Sequence, residues 1–266
     1  MLPSRSFYAN NIRLVGNGDP VTSSISLDRP VGTQINGITA NTVIVNPNAR
    51  ILQGIDLANT GATVNVNGAT GYTYGDDLTQ GFYANGITLT GINNPVTNSF
   101  TLDQNVDGKI NGITANTVNV LNPNAKIQDG VTLASSGGTV NVAAGTYKEN
   151  VVIDKSLTIN GAGRYSTIID GNQAGSVFRI GLANPNIDVI LSGLGITGGS
   201  GSLGIVEKIY GGGIYNNGRA TIKNCLIFGN SASYAGGGIH NAGTATISDS
   251  IISGNTAYHG GGICNH

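Results

Sequence analysis

The sequence predicts an all-β solenoid, in which short turns of the chain stack on near-copies of themselves. The first observation is a repeat: Gly211–Ile214 reads Gly-Gly-Gly-Ile, returns 25 residues later at Gly236–Ile239, and returns after a further 24 at Gly260–Ile263. The second is composition, with 42 glycines and only 10% charged residues among 266. A turn this short cannot bury its apolar side chains alone, so it must pack on its neighbours.

The first half of the chain holds an older and longer repeat. Asn36–Val43 returns unchanged 75 residues later as Asn111–Val118, and Thr63–Val66 matches Thr139–Val142. The two copies diverge after Val142. We therefore predict three modules: a first solenoid module at 1–81, its duplicate at 82–147, and a regular array of 24–25-residue turns at 148–266. The array stops inside a repeat, so we expect it to be truncated and to belong to a longer protein.

Short runs of alternating residues predict the strands. Examples are Thr139–Val142, Ser156–Ile159 and Thr167–Ile169, each separated from the next run by turn-forming glycine and asparagine. Within the array, the alternation points Ile222, Cys225 and Ile227 inward. We expect Ile222 to lie over Ile247, Ile227 over Ile252, and Ile214 over Ile239 and Ile263.

One helical segment interrupts each long copy, near 49–58 and near 125–134. In the second, Ile127, Val131 and Ala134 are spaced to share one helix face, after an Asn-Pro-Asn start. Gly54 and Gly130 weaken both helices, so each should have one or two turns. We expect each helix to lie across a stack and to cover an open edge.

Several function classes are disfavoured. A formal net charge of −1 lacks the basic footprint of a nucleic-acid-binding protein. No run approaches the ~18 apolar residues of a membrane span. No metal site is expected, because the spacing of His240, His259 and His266 is not that of metal ligands. No disulfide is expected, because Cys225 and Cys264 occupy different positions within the repeat. No phosphate-binding loop occurs, and no cofactor is expected. The first residues do not form a secretory leader.

The acidic residues are scattered. The adjacent pair Asp76-Asp77 is interpreted as part of a solvated turn, with a calcium site as the alternative. A catalytic set is not expected near the longest interruption of the array, at 198–210, because the sequence shows no convergent cluster there and Asp170-Gly171 has an ordinary turn role. The fallback enzyme candidates there are Asp170, Asp188, Glu207, Lys208 and Arg179.

The asparagines of the array form two columns. In stacked turns, such side chains can donate to one another along the axis as an amide ladder. Asparagine also tolerates the left-handed backbone of sharp corners. The predicted ladder residues are Asn216, Asn241 and Asn265 in one column, and Asn230 and Asn255 in the other.

A short stripe of apolar and aromatic residues is the candidate surface for a partner. If Ile227 points inward, Leu226 points outward and Ile251 lies above it. Tyr234 and Tyr258 precede successive glycine runs and should form an aromatic column. Such a stripe on a neutral surface suits a glycan ring or a protein. The alternative is that isolated exposed apolar residues have no function.

Two segments carry a family resemblance, covering roughly 122–266. The stretches 127–138, 145–151, 156–159 and 169–171 resemble the opening of right-handed parallel β-helix proteins of the pectin-lyase-like superfamily. The Gly-Gly-Gly-Ile and Ile-x-x-Asn motifs from Gly211 onward resemble the repeats of polymorphic outer-membrane proteins and adhesin-like surface proteins, with isoleucine where that family often has phenylalanine.

The resemblance implies a right-handed parallel β-helix, with short helices in the duplicated N-terminal modules. That superfamily includes enzymes and adhesins, so the fold alone does not select a function. We expect a non-catalytic segment of a larger secreted or cell-surface protein with adhesive or structural work. The alternatives are a polysaccharide lyase or hydrolase and a viral fibre or tailspike. Expected partners are a glycan, a cell-surface protein, or further copies through end-to-end or oligomeric self-association.

Overall fold

The structure is a computed structural model that describes residues 14–32, 34–79, 85–203 and 209–266. Strands in parallel sheets make up most of it, so the protein belongs to the all-β class as predicted. The chain divides into two compact units, Met1–Phe100 with Val106–Thr114 and Thr101–Asn105 with Ala115–His266. The three modules at 1–81, 82–147 and 148–266 stay a prediction.

The first unit is built around a five-stranded parallel sheet in the order β2-β4-β5-β7-β9. A two-stranded parallel sheet, β1-β3, accompanies it. Its elements are β1 Leu14–Val15, β2 Val21–Leu27, β3 Ile35–Asn36, β4 Thr39–Val45, α1 Ile51–Asp56, β5 Ala58–Asn67, β6 Thr73–Thr79, β7 Thr88–Ile92, most of β8 Val96–Leu102, and β9 Ile110–Asn111.

The second unit holds the array. Its strands before the interruption are β10 Thr114–Val120, β11 Ala134–Val142, β12 Gly145–Lys148, β13 Val151–Ile153, β14 Leu157–Gly161, β15 Thr167–Asp170, β16 Phe178–Ile180, β17 Asp188–Ser192 and β18 Gly195–Thr197, with helix α2 at Ile127–Leu133. Those that follow are β19 Ser202–Leu203, β20 Ile209–Tyr210, β21 Ile214–Asn216, β22 Arg219–Lys223, β23 Leu226–Phe228, β24 Ser231–Ala235, β25 Ile239–Asn241, β26 Thr244–Ser248, β27 Ile251–Ser253, β28 Thr256–His259 and β29 Ile263–Asn265.

The chain of the second unit visits its sheets in a fixed cycle. The first sheet contains β10-β11-β14-β17-β22-β26, the second β12-β15-β18-β23-β27, and the third β13-β16-β21-β25-β29. A small fourth sheet, β19-β20-β24-β28, enters between the second and third, and only its β19–β20 pair is antiparallel. Each later strand pairs in parallel with the strand one turn before it, a topology compatible with a β-solenoid.

The predicted register of the array is confirmed. Ile222 pairs with Ile247, Ile227 with Ile252, and Ile214 with Ile239, which pairs in turn with Ile263. The inward row is also confirmed, since Ile222, Cys225 and Ile227 are fully buried while Lys223 is exposed. Because the period is nearly constant, each isoleucine pairs with its equivalent one turn later. The core of the array therefore contains columns of isoleucine.

The duplicated segments form equivalent strands. β4 and β10 have the same burial pattern residue by residue. Each pairs with the strand after its helix in the same way: Ala40 with Ala58 and Thr42 with Thr63 in the first copy, Ala115 with Ala134 and Thr117 with Thr139 in the second. Even the shift in register between the two pairs recurs, so the duplication extends to the local backbone geometry.

The two predicted helices are present and short, α1 with 6 residues and α2 with 7. Their glycines allow close packing on buried valines of the sheets. A Cβ added at Gly54 would lie 2.5 Å from Cγ2 of Val45, and one at Gly130 would lie 2.9 Å from Cγ1 of Val140. The helix propensity lost at each glycine is thus offset by the closer packing of the helix on the sheet. Among the described residues, no helix is long and apolar enough to cross a membrane.

Replacing the most central isoleucine of the array tests the stacking. Ile222→Ala should lower the free energy of unfolding by about 2–4 kcal/mol, because it opens a cavity in a closed row. Ile247→Ala is the matched control, and its half-exposed side chain should make the loss smaller. Urea unfolding followed by circular dichroism measures both. Equal losses of unfolding free energy in the two variants would contradict the burial of Ile222 by the neighbouring turns.

Replacing the helix glycines tests their packing role. Gly54→Ala and Gly130→Ala should each destabilise the protein, since overpacking a core costs about 1–3 kcal/mol and alanine recovers only about 1 kcal/mol of helix propensity. Gly75→Ala is the control, because its added Cβ would meet nothing within 4 Å. Thermal unfolding of the three variants distinguishes the effects. Stabilisation by either helix substitution would overturn the explanation.

Candidate functional site

Asp76 and Asp77 lie in strand β6, so their assignment to a solvated turn was wrong. Asp76 is only 1% exposed and accepts hydrogen bonds from the backbone N–H of Ile51 at 2.8 Å and from Nε of Arg50 at 3.1 Å. It therefore closes the start of helix α1, where free N–H groups favour a carboxylate. Asp77 points outward, and hydrogen bonds from Ser99 and Asn98 lower the pKa of its carboxyl. No group of three or more potential ligands for a metal occurs among the described residues.

Glu149 does the same for helix α2. Its carboxylate accepts hydrogen bonds from the backbone N–H groups of Ile127 at 2.8 Å and Gln128 at 3.1 Å. Burial raises the pKa of Glu149, while these two donors oppose that shift. The shared pattern Thr-Tyr-x-acid, at 73–76 and 146–149, was the missed signal. The two copies thus stay equivalent beyond Val142, with a buried tyrosine in each.

The fallback enzyme candidates do not form a described cluster. Asp170 ends β15 in the second sheet, Arg179 lies in β16 of the third, and Asp188 begins β17 of the first. Asp188 makes two hydrogen bonds with Arg219, at 2.7 and 2.8 Å, which lower the pKa of its exposed carboxyl. Asp170 accepts a bond from the backbone N–H of Asn172, an ordinary turn contact. Glu207 and Lys208 lie outside the described residues.

The ladder asparagines are hydrogen-bonded along the stack, and three of the five are buried. Nδ2 of Asn216 donates to Oδ1 of Asn241 at 2.7 Å, and Nδ2 of Asn241 donates to Oδ1 of Asn265 at 2.7 Å. In the second column, Nδ2 of Asn230 donates to Oδ1 of Asn255 at 3.0 Å. Asn216, Asn230 and Asn241 are each less than 5% exposed, so these bonds satisfy amides that water does not reach.

The left-handed backbone positions belong to other residues. None of the five ladder asparagines has a positive φ, contrary to the role suggested for them at corners. The turn after the first sheet instead places Gly193, Asn224 and Asp249 there, and Gly229 and Gly254 precede the second ladder column. The ladder residues contribute side-chain bonds, and their neighbours make the bend.

Part of the predicted partner stripe is regular, namely the pair Leu226 and Ile251. Leu226 and Ile251 pair in register on the outer face of the second sheet, with Leu226 half-buried and Ile251 42% exposed. Tyr234 is half-buried, and Tyr258 is 79% exposed. Two apolar side chains in one column thus lie on the outer face of adjacent turns.

The tyrosines form part of a longer ring row, defined as Tyr210, Tyr234, His259 and Tyr258. Successive ring centroids lie 5.2, 5.2 and 4.4 Å apart, and each pair meets edge to face, a preferred aromatic geometry. His259 thus links the rings of Tyr234 and Tyr258. The cause is a shift in register, because Ala232 pairs with Ala257 but Ala235 pairs with His259, which leaves one additional residue in β24.

A second group of rings lies beside the ring row. His240 pairs in register between Tyr215 and Cys264, as the sequence predicted, and its ring is stacked on Tyr215 with centroids 5.3 Å apart. Tyr210 covers it at 4.6 Å, and His266 lies at 6.4 Å. His240 is 5% exposed, and no described residue bonds to its Nδ1. Burial, and secondarily the charge of His266, lower the pKa of His240. Both cysteines are free thiols.

The chain matches no protein-family model, no curated protein and no solved structure. The resemblance to β-helix proteins therefore depends on the residues quoted above and on the stacked parallel sheets. The ring row, with the imidazoles beside it, is the candidate functional site.

The buried imidazole predicts a pH-dependent stability. Because the pKa of His240 is lower in the folded chain, the unfolded chain takes up this proton first as pH falls below its ordinary pKa of 6.5. The contribution of neutral His240 is complete above pH 6.5 and is lost as pH falls through the lowered pKa. Thermal unfolding between about pH 7.5 and about pH 5 should show a smaller decrease for His240→Gln than for the wild type. Equal decreases would contradict this role.

Proposed function

We propose that this chain is a right-handed parallel β-helix segment of a larger secreted or cell-surface protein, and that its work there is adhesive or structural rather than catalytic. The cyclic order of the parallel sheets supports the helix. A right-handed course is the hand of nearly all parallel strand–connection–strand units. The resemblance to adhesin-like surface repeats supports the placement outside the cell.

The observation that carries the adhesive proposal is the pattern on the outer face. Leu226 and Ile251 pair on adjacent turns, and the tyrosines of the ring row also come from successive turns, in a segment with few charges. Contiguous exposed apolar and aromatic side chains of this kind mark sites where soluble proteins meet partners. Stacked turns suit the task because they present the same side-chain types at a regular spacing.

The fallback carboxylates favour this proposal over an enzyme. General acid–base cleavage of a polysaccharide needs two carboxyl groups that converge on one bond. Asp170 and Asp188 lie on different sheets, and Asp188 is bound by Arg219. Their chemistry is therefore that of surface and turn residues.

The test compares three double variants for binding to cells and for polysaccharide cleavage. Leu226→Ser with Ile251→Ser, and Tyr234→Ala with Tyr258→Ala, should each reduce cell binding at least tenfold, about 1.4 kcal/mol. Asp170→Asn with Asp188→Asn should bind like the wild type. Leu182→Ser is a matched control, since Leu182 is also 42% exposed but follows β16 of the third sheet and is not part of the stripe.

Cleavage of a polysaccharide that disappears in the carboxylate variant would overturn the proposal in favour of an enzyme. Cell binding that survives both stripe variants would equally contradict it. Sedimentation of the wild type as a trimer would support a viral fibre or spike instead.

A further inference from the structure

We infer that the ring row is a carbohydrate site that takes neutral pyranose chains. This inference depends on the proposed adhesive function and deepens it by naming the class of ligand. It concerns strands β20, β24 and β28, which contain neither Asp170 nor Asp188.

The first argument is the chemistry of the rings. Tyr258 is 79% exposed, His259 is exposed and Tyr234 is half-buried, so the row presents aromatic surface to solvent. A pyranose has an apolar face of C–H groups and a polar rim of hydroxyls. The face suits an aromatic ring, and tyrosine adds a hydroxyl for the rim, because it combines an apolar body with a polar tip.

The second argument is that the row is already held in place. The edge-to-face contacts at 5.2, 5.2 and 4.4 Å restrict the rings before any ligand arrives. Tyr210 is in turn packed on the buried ring of His240 at 4.6 Å. A preorganised ring loses less conformational entropy on binding than a freely rotating one.

The third argument is the absence of charge. Residues 209–218, 231–243 and 256–266, which form the strands and glycine runs of this face, contain no Asp, Glu, Lys or Arg. The described charged residues of the same turns, from 209 onward, are Arg219, Lys223 and Asp249, which belong to the first sheet and the turn after it. An acidic sugar therefore meets no permanent cation among the described residues of this face, whereas a neutral sugar requires none.

The fourth argument is the polar surroundings and the spacing. Exposed hydroxyls of Ser231, Ser233 and Thr256 lie on the same strands as Tyr234 and Tyr258, and Ser231 pairs in register with Thr256. Neighbouring parallel strands are about 4.8 Å apart, close to the length of one pyranose residue. Successive sugars of a chain can therefore meet successive turns.

The experiment measures binding of cellohexaose, mannohexaose and chitohexaose by calorimetry at neutral pH, with polygalacturonate as the acidic probe. At least one neutral hexaose should bind, and Tyr258→Ala should weaken it at least tenfold, as should Tyr234→Ala. Tyr165→Ala is the matched control, because Tyr165 is 72% exposed and lies off the row. Unchanged thermal unfolding of Tyr258→Ala ensures that the loss is local.

Failure of all three neutral hexaoses to bind would overturn the inference. So would tighter binding of polygalacturonate, or an equal loss in Tyr165→Ala. Cell binding that depends on the stripe but is accompanied by no neutral-sugar binding would refute only the ligand class and leave the adhesive function, with a protein as partner. If the stripe variants bind sugar and cells as well as the wild type does, both the ligand class and the adhesive function are refuted.

Discussion

Parallel stacking in register is the constraint on which the second unit depends. Each inner turn of the array closes its backbone hydrogen bonds with the turns on either side, and its inward isoleucines are buried because those turns repeat the same pattern. A slip of one residue would turn the row of Ile222 to solvent and bring Lys223 inside. The amide ladders impose the same register, because Asn216 reaches Asn241 only when the corners coincide.

The last two intervals of the array differ by one residue, and the difference has a local consequence. The turn from Gly236 to Gly260 is 24 residues, one fewer than the turn before it, and the sheets that form the core keep their register. The difference is absorbed within β24, next to Tyr234. This shift places His259 against two tyrosine rings, so the proposed ligand surface includes a local irregularity of the repeat.

The duplicated segments show one device used twice. In each copy a glycine lets a short helix approach buried valines, and a later carboxylate, Asp76 within β6 or Glu149 directly after β12, accepts a hydrogen bond from the first backbone N–H of that helix. A helix of 6 or 7 residues is too short to be stable alone. Its stability therefore comes from the contacts with the sheet and from the bound carboxylate.

Local periodicity was enough to predict the all-β class, the columns of isoleucine and asparagine, and the two short helices, because stacking in register converts a repeat along the chain into neighbours in space. It could not reveal that Asp76 and Glu149 cap helices more than twenty residues earlier, since that contact joins distant segments. Nor could it place His259 between Tyr234 and Tyr258, because alignment by the glycine runs hides a bulge inside a strand. The distribution of Asp170, Arg179 and Asp188 over three sheets likewise follows from where each turn bends, which only the packing of the whole unit determines.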